Sequence, residues 1–139
     1  MRVIWAICSD YFIKDAQTGK DSIVGIFTHI NVPALPSPPI SMWLTVQVEF
    51  DPDETEEQLH MRCDLIDEDG EVVHYVDVTV APPKLGPMGG PLRPVLPMYL
   101  PNVVFVTAGQ HRMDFKVNGL ALYDMPLTVT LLPMHPPGA

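Results

Sequence analysis

The sequence predicts an all-β protein: an antiparallel β-sandwich of about 7–8 strands with a long proline-rich connection. Three observations carry that prediction. No apolar stripe of helical period with capping residues runs along the chain. Short runs rich in Val, Ile, Thr, Phe and Tyr are instead separated by Gly, Pro, Asn and Asp. Two of the separators, Asp69-Gly70 and Asn118-Gly119, are dipeptides that two-residue hairpin turns favour.

The first strand is expected at about 3–12 and the second at about 22–32. The second contains "SIVGIFTHI", which is apolar on both faces. Strict alternation puts Val24, Ile26 and Ile30 on one face, taken as the inner one. Ile23 and Phe27 fall on the outer face, around a gap at Gly25. A third strand, about 41–50, alternates cleanly: Met42, Leu44, Val46, Val48 and Phe50 oppose Trp43, Thr45, Gln47 and Glu49.

Strands at about 58–67 and 71–80 flank Asp69-Gly70, read as a type I′ turn. That turn pairs residues whose numbers sum to 139, so Cys63 meets Val76 and Met61 meets Val78. The same register sets Arg62 opposite Asp77, a favourable cross-strand pair. A slip of one residue would turn Asp77 inward. The last strands are expected at about 98–107, 111–117 and 120–131. Asn118-Gly119 joins the final two and places Phe115 opposite Leu122. Asp124, Met125 and Pro126 then break the alternation, which calls for a bulge or an edge position.

Two segments are proline-rich: "VPALPSPP" at 32–39 and "APPKLGPMGGPLRPVLPMYLP" at 81–101. Proline cannot donate to a ladder, so the second is expected to be mostly loop or protected edge, serving as a covering strap. Its "PLRPVLP" run also has the P-x-x-P spacing that docks in aromatic grooves. The 139 residues fit one domain, assigned to 1–132, with a frayed tail at 133–139.

Composition narrows function. Hydrophobic residues make up 47%, enough for a core without staples. The net charge of −9 argues against a nucleic-acid partner and against an anionic membrane surface. The apolar run from Val3 to Cys8 is too short for a signal peptide, so a cytoplasmic location is expected. Cys8 and Cys63, with Trp43 between them, fail the immunoglobulin pattern: Trp43 lies far from Cys8, and Met61 stands where a corner tyrosine belongs. Both are read as free, packed thiols.

Signatures of reaction chemistry are few in the sequence. No G-x-S-x-G, P-loop or dinucleotide fingerprint is present. Cys8 with His29 as base is the one nucleophile pair on offer, and a packed strand cysteine is the preferred reading. His29, His60, His74, His111 and His135 are scattered without metal-ligand spacing and are read as surface or rim residues. No cofactor and no catalytic residue is assigned. The sharpest metal alternative is calcium, held by Asp51 and Asp53 together with Asp10, Asp15 and Asp21 from a loop at the same end. The simpler reading of these aspartates is solubilising loop charge.

The motifs "CSDY" (Cys8 to Tyr11), "TGK" (Thr18 to Lys20) and "SIVGIF" (Ser22 to Phe27), in that order, resemble a family of small bacterial proteins of unknown function. Leu65, Asp67, Asp69 and Gly70 match its Leu-x-Asp-x-Asp-Gly hairpin. Asn118, Gly119, Pro126 and Leu127 match its closing hairpin and Pro-Leu strand. The resemblance covers most of the chain outside the proline-rich middle. It departs at Ser9, which separates Cys8 from Asp10, and in a longer proline-rich segment than the family pattern leads one to expect. It implies a β-sandwich and supplies no catalytic residues.

The resulting expectation is a non-enzymatic binding or assembly module that self-associates as a homodimer or other homo-oligomer. Ile23, Gly25, Phe27 and Trp43 form the expected interface, because a contiguous exposed apolar patch calls for a cover. Gly25 is expected to provide a dent for a neighbour's side chain. A second copy is preferred as the cover over Leu85, Met88, Leu92 or Leu96 of the proline-rich segment. The runner-up is a calcium- or small-ligand-binding sandwich.

Overall fold

Alternation of apolar and polar residues along the runs above produces nine strands and no helix among the described residues, which are 1–51, 58–81 and 90–133 of a computed structural model. The strands are β1 Arg2–Lys14, β2 Asp21–Phe27, β3 His29–Val32, β4 Ile40–Glu49, β5 Leu59–Ile66, β6 Val72–Val80, β7 Val95–Val103, β8 Gly109–Val117 and β9 Leu120–Leu131. They form two sheets. One has the order β2-β1-β4-β7 and the other β3-β9-β8-β5-β6. The five-stranded sheet curls into half a barrel. The frayed tail expected at 133–139 lies, from 134 on, outside the described residues.

A single core lies between the sheets. Met42, Leu44, Val46 and Val48 of β4 meet Leu59, Met61, Cys63 and Leu65 of β5 and Met113, Phe115 and Val117 of β8 within one buried cluster. Alternation put each of these side chains on one face of its strand, and burying that face is what holds the layers together.

The expected strand at 22–32 is two strands in different sheets. β2 pairs with β1, the chain bends at Thr28, and β3 pairs with β9. The β3–β9 pair is parallel, so the architecture is not purely antiparallel. The bend explains why this stretch is apolar on both sides. Each half turns a different face to the core, and strict alternation does not survive the crossover.

The register set by the sums to 139 holds from Leu59↔Val80 to Leu65↔His74, with Arg62 opposite Asp77. The turn itself differs from a two-residue type I′ turn. Asp67 N–H donates to the Glu71 carbonyl at 3.0 Å, Gly70 N–H to the Asp67 carbonyl at 3.1 Å, and Gly70 has φ +83°. This is the pattern of a type I turn followed by a left-handed glycine. A shift between Leu65 and Ile66 absorbs the extra residue. At the second hairpin Asn118 and Gly119 have φ +50° and +80°, as a type I′ turn requires. A shift between Phe115 and Lys116 then sets Phe115 opposite Tyr123 rather than Leu122. The irregularity expected at 124–126 thus falls slightly earlier.

The proline-rich segment is not a strap where it is described. From Val95 it is β7, an edge strand, starting three residues before the expected 98. Pro97 and Pro101 lie within β7, and the edge position tolerates prolines that cannot complete a ladder. Leu92 and Leu96 pack on the core, so they do not cover the outer face. Leu85 and Met88 lie outside the described residues.

Candidate functional site

The strand pairings stack residues into ranks across the outer face of the four-stranded sheet. Trp5, Gln47 and Val95 form one rank, Ile7, Thr45 and Pro97 the next, and Ser9, Trp43 and Tyr99 the third. On β2, Ile26 sits beside Ser9 and Val24 beside Tyr11. These positions alternate with Ala6, Cys8, Met42, Leu44, Leu96 and Met98, which belong to the core. A solvated sheet face normally carries polar side chains. This one carries Trp, Tyr, Ile and Val.

The exposure is concentrated at the β1–β2 side. Tyr11 is 63% exposed, Ile26 62%, Ile13 54% and Val24 47%. Towards β4 the face closes up: Ser9 and Thr45 are fully buried although they belong to it. The Ser9 hydroxyl donates to the Tyr11 carbonyl at 3.1 Å, while Thr45 Oγ1 has no hydrogen-bond partner among the described residues. Trp43 is half-buried between two rings, with centroids 5.7 Å from Phe12 and 4.9 Å from Tyr99. At the β1 N-terminal end the face is bounded by charge. Glu49 accepts from Arg2 Nε at 3.0 Å and from Arg93 Nε at 2.7 Å. Those two guanidinium bonds hold its carboxyl down at about 2.

The expected interface residues are placed as follows. Ile23 and Phe27 are half-buried, and Phe27 packs against the core. The inner and outer sets of β2 are therefore the reverse of those expected, with Val24 and Ile26 facing solvent. At Gly25 the gap left by the missing side chain is taken from within the chain. The Asp10 carboxylate occupies the space where its β-carbon would be, and its φ is +73°. Trp43 lies on the outer face as expected.

The aspartates of the calcium alternative are not brought together. Asp51 lies 3.8 Å from the N-terminal amine, at the start of β1. Asp15 and Asp21 flank the turn at its other end, some 40 Å away at the usual strand rise. Antiparallel pairing of β1 with β4 puts Arg2 against Glu49, and this separates loops that were expected to adjoin. Asp15 accepts from the backbone of Gln17 and Thr18 at 2.8 and 2.9 Å, and Asp21 pairs with Lys14 at 3.7 Å. Asp53 lies outside the described residues. Among the described residues no group of three or more His, Cys, Asp or Glu side chains is arranged to hold a metal.

Cys8 and Cys63 are free and buried. Cys8 Sγ lies 3.3 Å from Met113 Sδ, and burial pushes its thiol up to about 12. Burial raises the Cys63 thiol as well, with the Cys8 and Asp64 charges adding to it. His29, the suggested base, is exposed. One histidine is not at the rim: His111 is 2% exposed, its ring edge-on to Phe105 at 5.3 Å, with Nδ1 3.1 Å from the Gly109 carbonyl. Its position on the apolar side of the "HRMDFKV" alternation, with Met113, Phe115 and Val117, was the signal for its burial. His135 lies outside the described residues.

Fold and site together define a small two-sheet all-β module with an unusually apolar outer face on one sheet. The chain belongs to a family of unknown function, DUF6941, whose model matches residues 4–130. Among solved structures it is similar to Pseudomonas fluorescens alkylpurine DNA glycosylase AlkC bound to DNA containing an abasic site analog, with 11% identity and a TM-score of 0.38. That similarity spans 90% of this chain and 30% of the glycosylase chain. No curated protein matches the chain. Among the described residues no helix is long and apolar enough to cross a membrane.

Proposed function

We propose that this chain is a non-enzymatic, cytoplasmic assembly module: a two-layer sandwich that pairs with a second copy of itself through the β1–β2 side of the four-stranded sheet. The carrying observation is the cluster of Tyr11, Ile13, Val24 and Ile26, all exposed and all on the two strands at one sheet edge. Soluble monomers rarely leave such a patch open.

The edges themselves support this choice. β2 and β7 are the two edges of the sheet. β7 carries prolines, which block ladder formation. β2 carries none and no lysine. A two-fold axis beside β2 would join two four-stranded sheets edge to edge and bring both patches together, as an isologous interface demands. Trp43 and Tyr99 then lie further in on the same face.

The test is the oligomeric state. Light scattering is expected to give a dimer for the native chain. Ile26→Glu and Val24→Lys are expected to give monomers with unchanged far-ultraviolet circular dichroism. A native chain that stays monomeric across the accessible concentration range would sink the proposal.

A further inference from the structure

A cleft of about 350 Å³ opens on the four-stranded sheet between Asp10, Tyr11, Ser41, Trp43 and Tyr99. Three of its five lining residues are aromatic, and one is a carboxylate. We propose that this cleft binds a methylated ammonium group, such as a quaternary amine.

The ring arrangement is the first support. Trp43 and Tyr99 are tilted 35° to each other with centroids 4.9 Å apart. Phe12 of β1 contacts Trp43 at 5.7 Å and 39°. The indole is thus held from both neighbouring strands, so little side-chain freedom is lost on binding. Tyr11, 63% exposed, stands at the cleft mouth with its ring available. Aromatic faces present negative potential, and walls of this kind attract cations whose charge is spread over methyl groups.

The second support is the charge. The Asp10 carboxylate has no ion-pair or hydrogen-bond partner among the described residues, and lies over Gly25. Lys14, the cation nearest to it in sequence, pairs instead with Asp21 at 3.7 Å. A ligand cation would supply the counter-charge that the chain itself does not.

The lining also selects among cations. A primary ammonium brings three N–H donors; the ring faces accept none of them, which leaves only the Asp10 carboxylate and the tyrosine hydroxyls. The Ser41 hydroxyl already takes part in a bond, accepting from Asn102 N–H at 3.2 Å. A quaternary ammonium carries no N–H and needs only the rings and the charge. Tyr11 belongs both to this cleft and to the proposed pairing surface, so the titration below is run on the Ile26→Glu chain as well as on the native one, and the two readings fail separately.

The probe is tetramethylammonium chloride, added to the full chain with ammonium chloride as control. The indole N–H signals of Trp43 and Trp5 are followed by NMR. The expected result is a saturable shift at Trp43, no comparable shift at Trp5, and none with ammonium. Tyr99→Leu is expected to weaken binding about tenfold. Asp10→Asn keeps the shape over Gly25 and is expected to weaken binding several-fold. Equal responses to the two salts, or unchanged titrations in both variants, would overturn the proposal. A peptide with one trimethyllysine, compared with its unmethylated form, then assigns the source. Tighter binding than tetramethylammonium points to a protein side chain, and equal binding to a free small cation; binding of both peptides alike would count against the site.

Discussion

The carboxylate of Asp10 lies against Gly25 of the neighbouring strand, in the space that a β-carbon would take. Glu68 does the same at Gly109, where φ is +119° and Glu68 Oε1 also accepts from Gln110 N–H at 2.7 Å. In both places an acidic side chain rests on a bare backbone, and the glycine is what allows it.

Gly25→Ala is therefore expected to destabilise the fold twice over. The new methyl collides with Asp10, and φ +73° is strained for any residue with a β-carbon. The expected loss is about 1–3 kcal/mol, read as a lower urea midpoint. Combining it with Asp10→Ala should recover most of the steric part, since only the position 10 β-carbon at 3.0 Å remains, and leave the backbone part. A Gly25→Ala chain as stable as the native one would contradict the geometry.

On the outer side of β5 and β6, Arg62 binds Asp64 at 2.9 Å and Asp77 at 3.3 Å, and its guanidinium sits 4.3 Å above the Tyr75 ring. Asp64 is nearly buried, and its other partner is Lys116 at 3.8 Å. Arg62→Ala leaves that carboxylate short of a counter-charge. The expected destabilisation is roughly 2 kcal/mol, below the value for a fully buried pair because Lys116 remains. Asp64→Asn in the same background should restore part of it, and a double-mutant cycle measures the coupling.

Acid sensitivity follows from Glu49. Its carboxyl is held at about 2 against an ordinary 4.5, by hydrogen bonds from Arg2 and Arg93. A lowered folded value means the contribution is present above 4.5 and is lost as pH falls through about 2. Asp15 acts in the same direction, through backbone bonds from Thr18 and Gln17. Melting temperature is expected to drop across that window, and Glu49→Gln should flatten the drop. An unchanged profile in the variant would show that Glu49 is not responsible.

Thiol reactivity gives a fourth check. Both cysteines are buried, and the Cys8 thiol is pushed up to about 12. A thiol that holds its proton is a poor nucleophile. A maleimide at neutral pH is expected to leave the folded chain unlabelled and to modify both cysteines in urea. Rapid labelling of the folded chain would reopen a cysteine-based chemistry.

Much of this arrangement was legible in local patterns. The alternation in "MWLTVQVEF" and "HRMDFKV" names the core faces of β4 and β8, because a strand's side chains alternate whatever lies beyond it. The Arg62–Asp77 register was readable too, since only one pairing buries both apolar faces. The turn type at 67–71 was not. Two loop geometries fit the same residues, and a compensating shift at Leu65/Ile66 hides the difference from any register argument.

The sequence by itself thus determined the all-β class, the core faces of β4, β5 and β8, and the register of one hairpin, all consequences of near neighbours along the chain. The tertiary structure decided what depended on distant partners. Thr28 marks a change of sheet because β9 is there to receive β3. Ile23 and Phe27 turn inward because of that crossover. Asp10 meets Gly25 because β1 and β2 align at that register. Asp51 is kept from Asp15 because β4 runs antiparallel to β1. Alternation fixes which side chains share a face, but not which layer that face meets, and so the outer site formed by Tyr11, Trp43 and Tyr99 emerges only when three strands lie side by side.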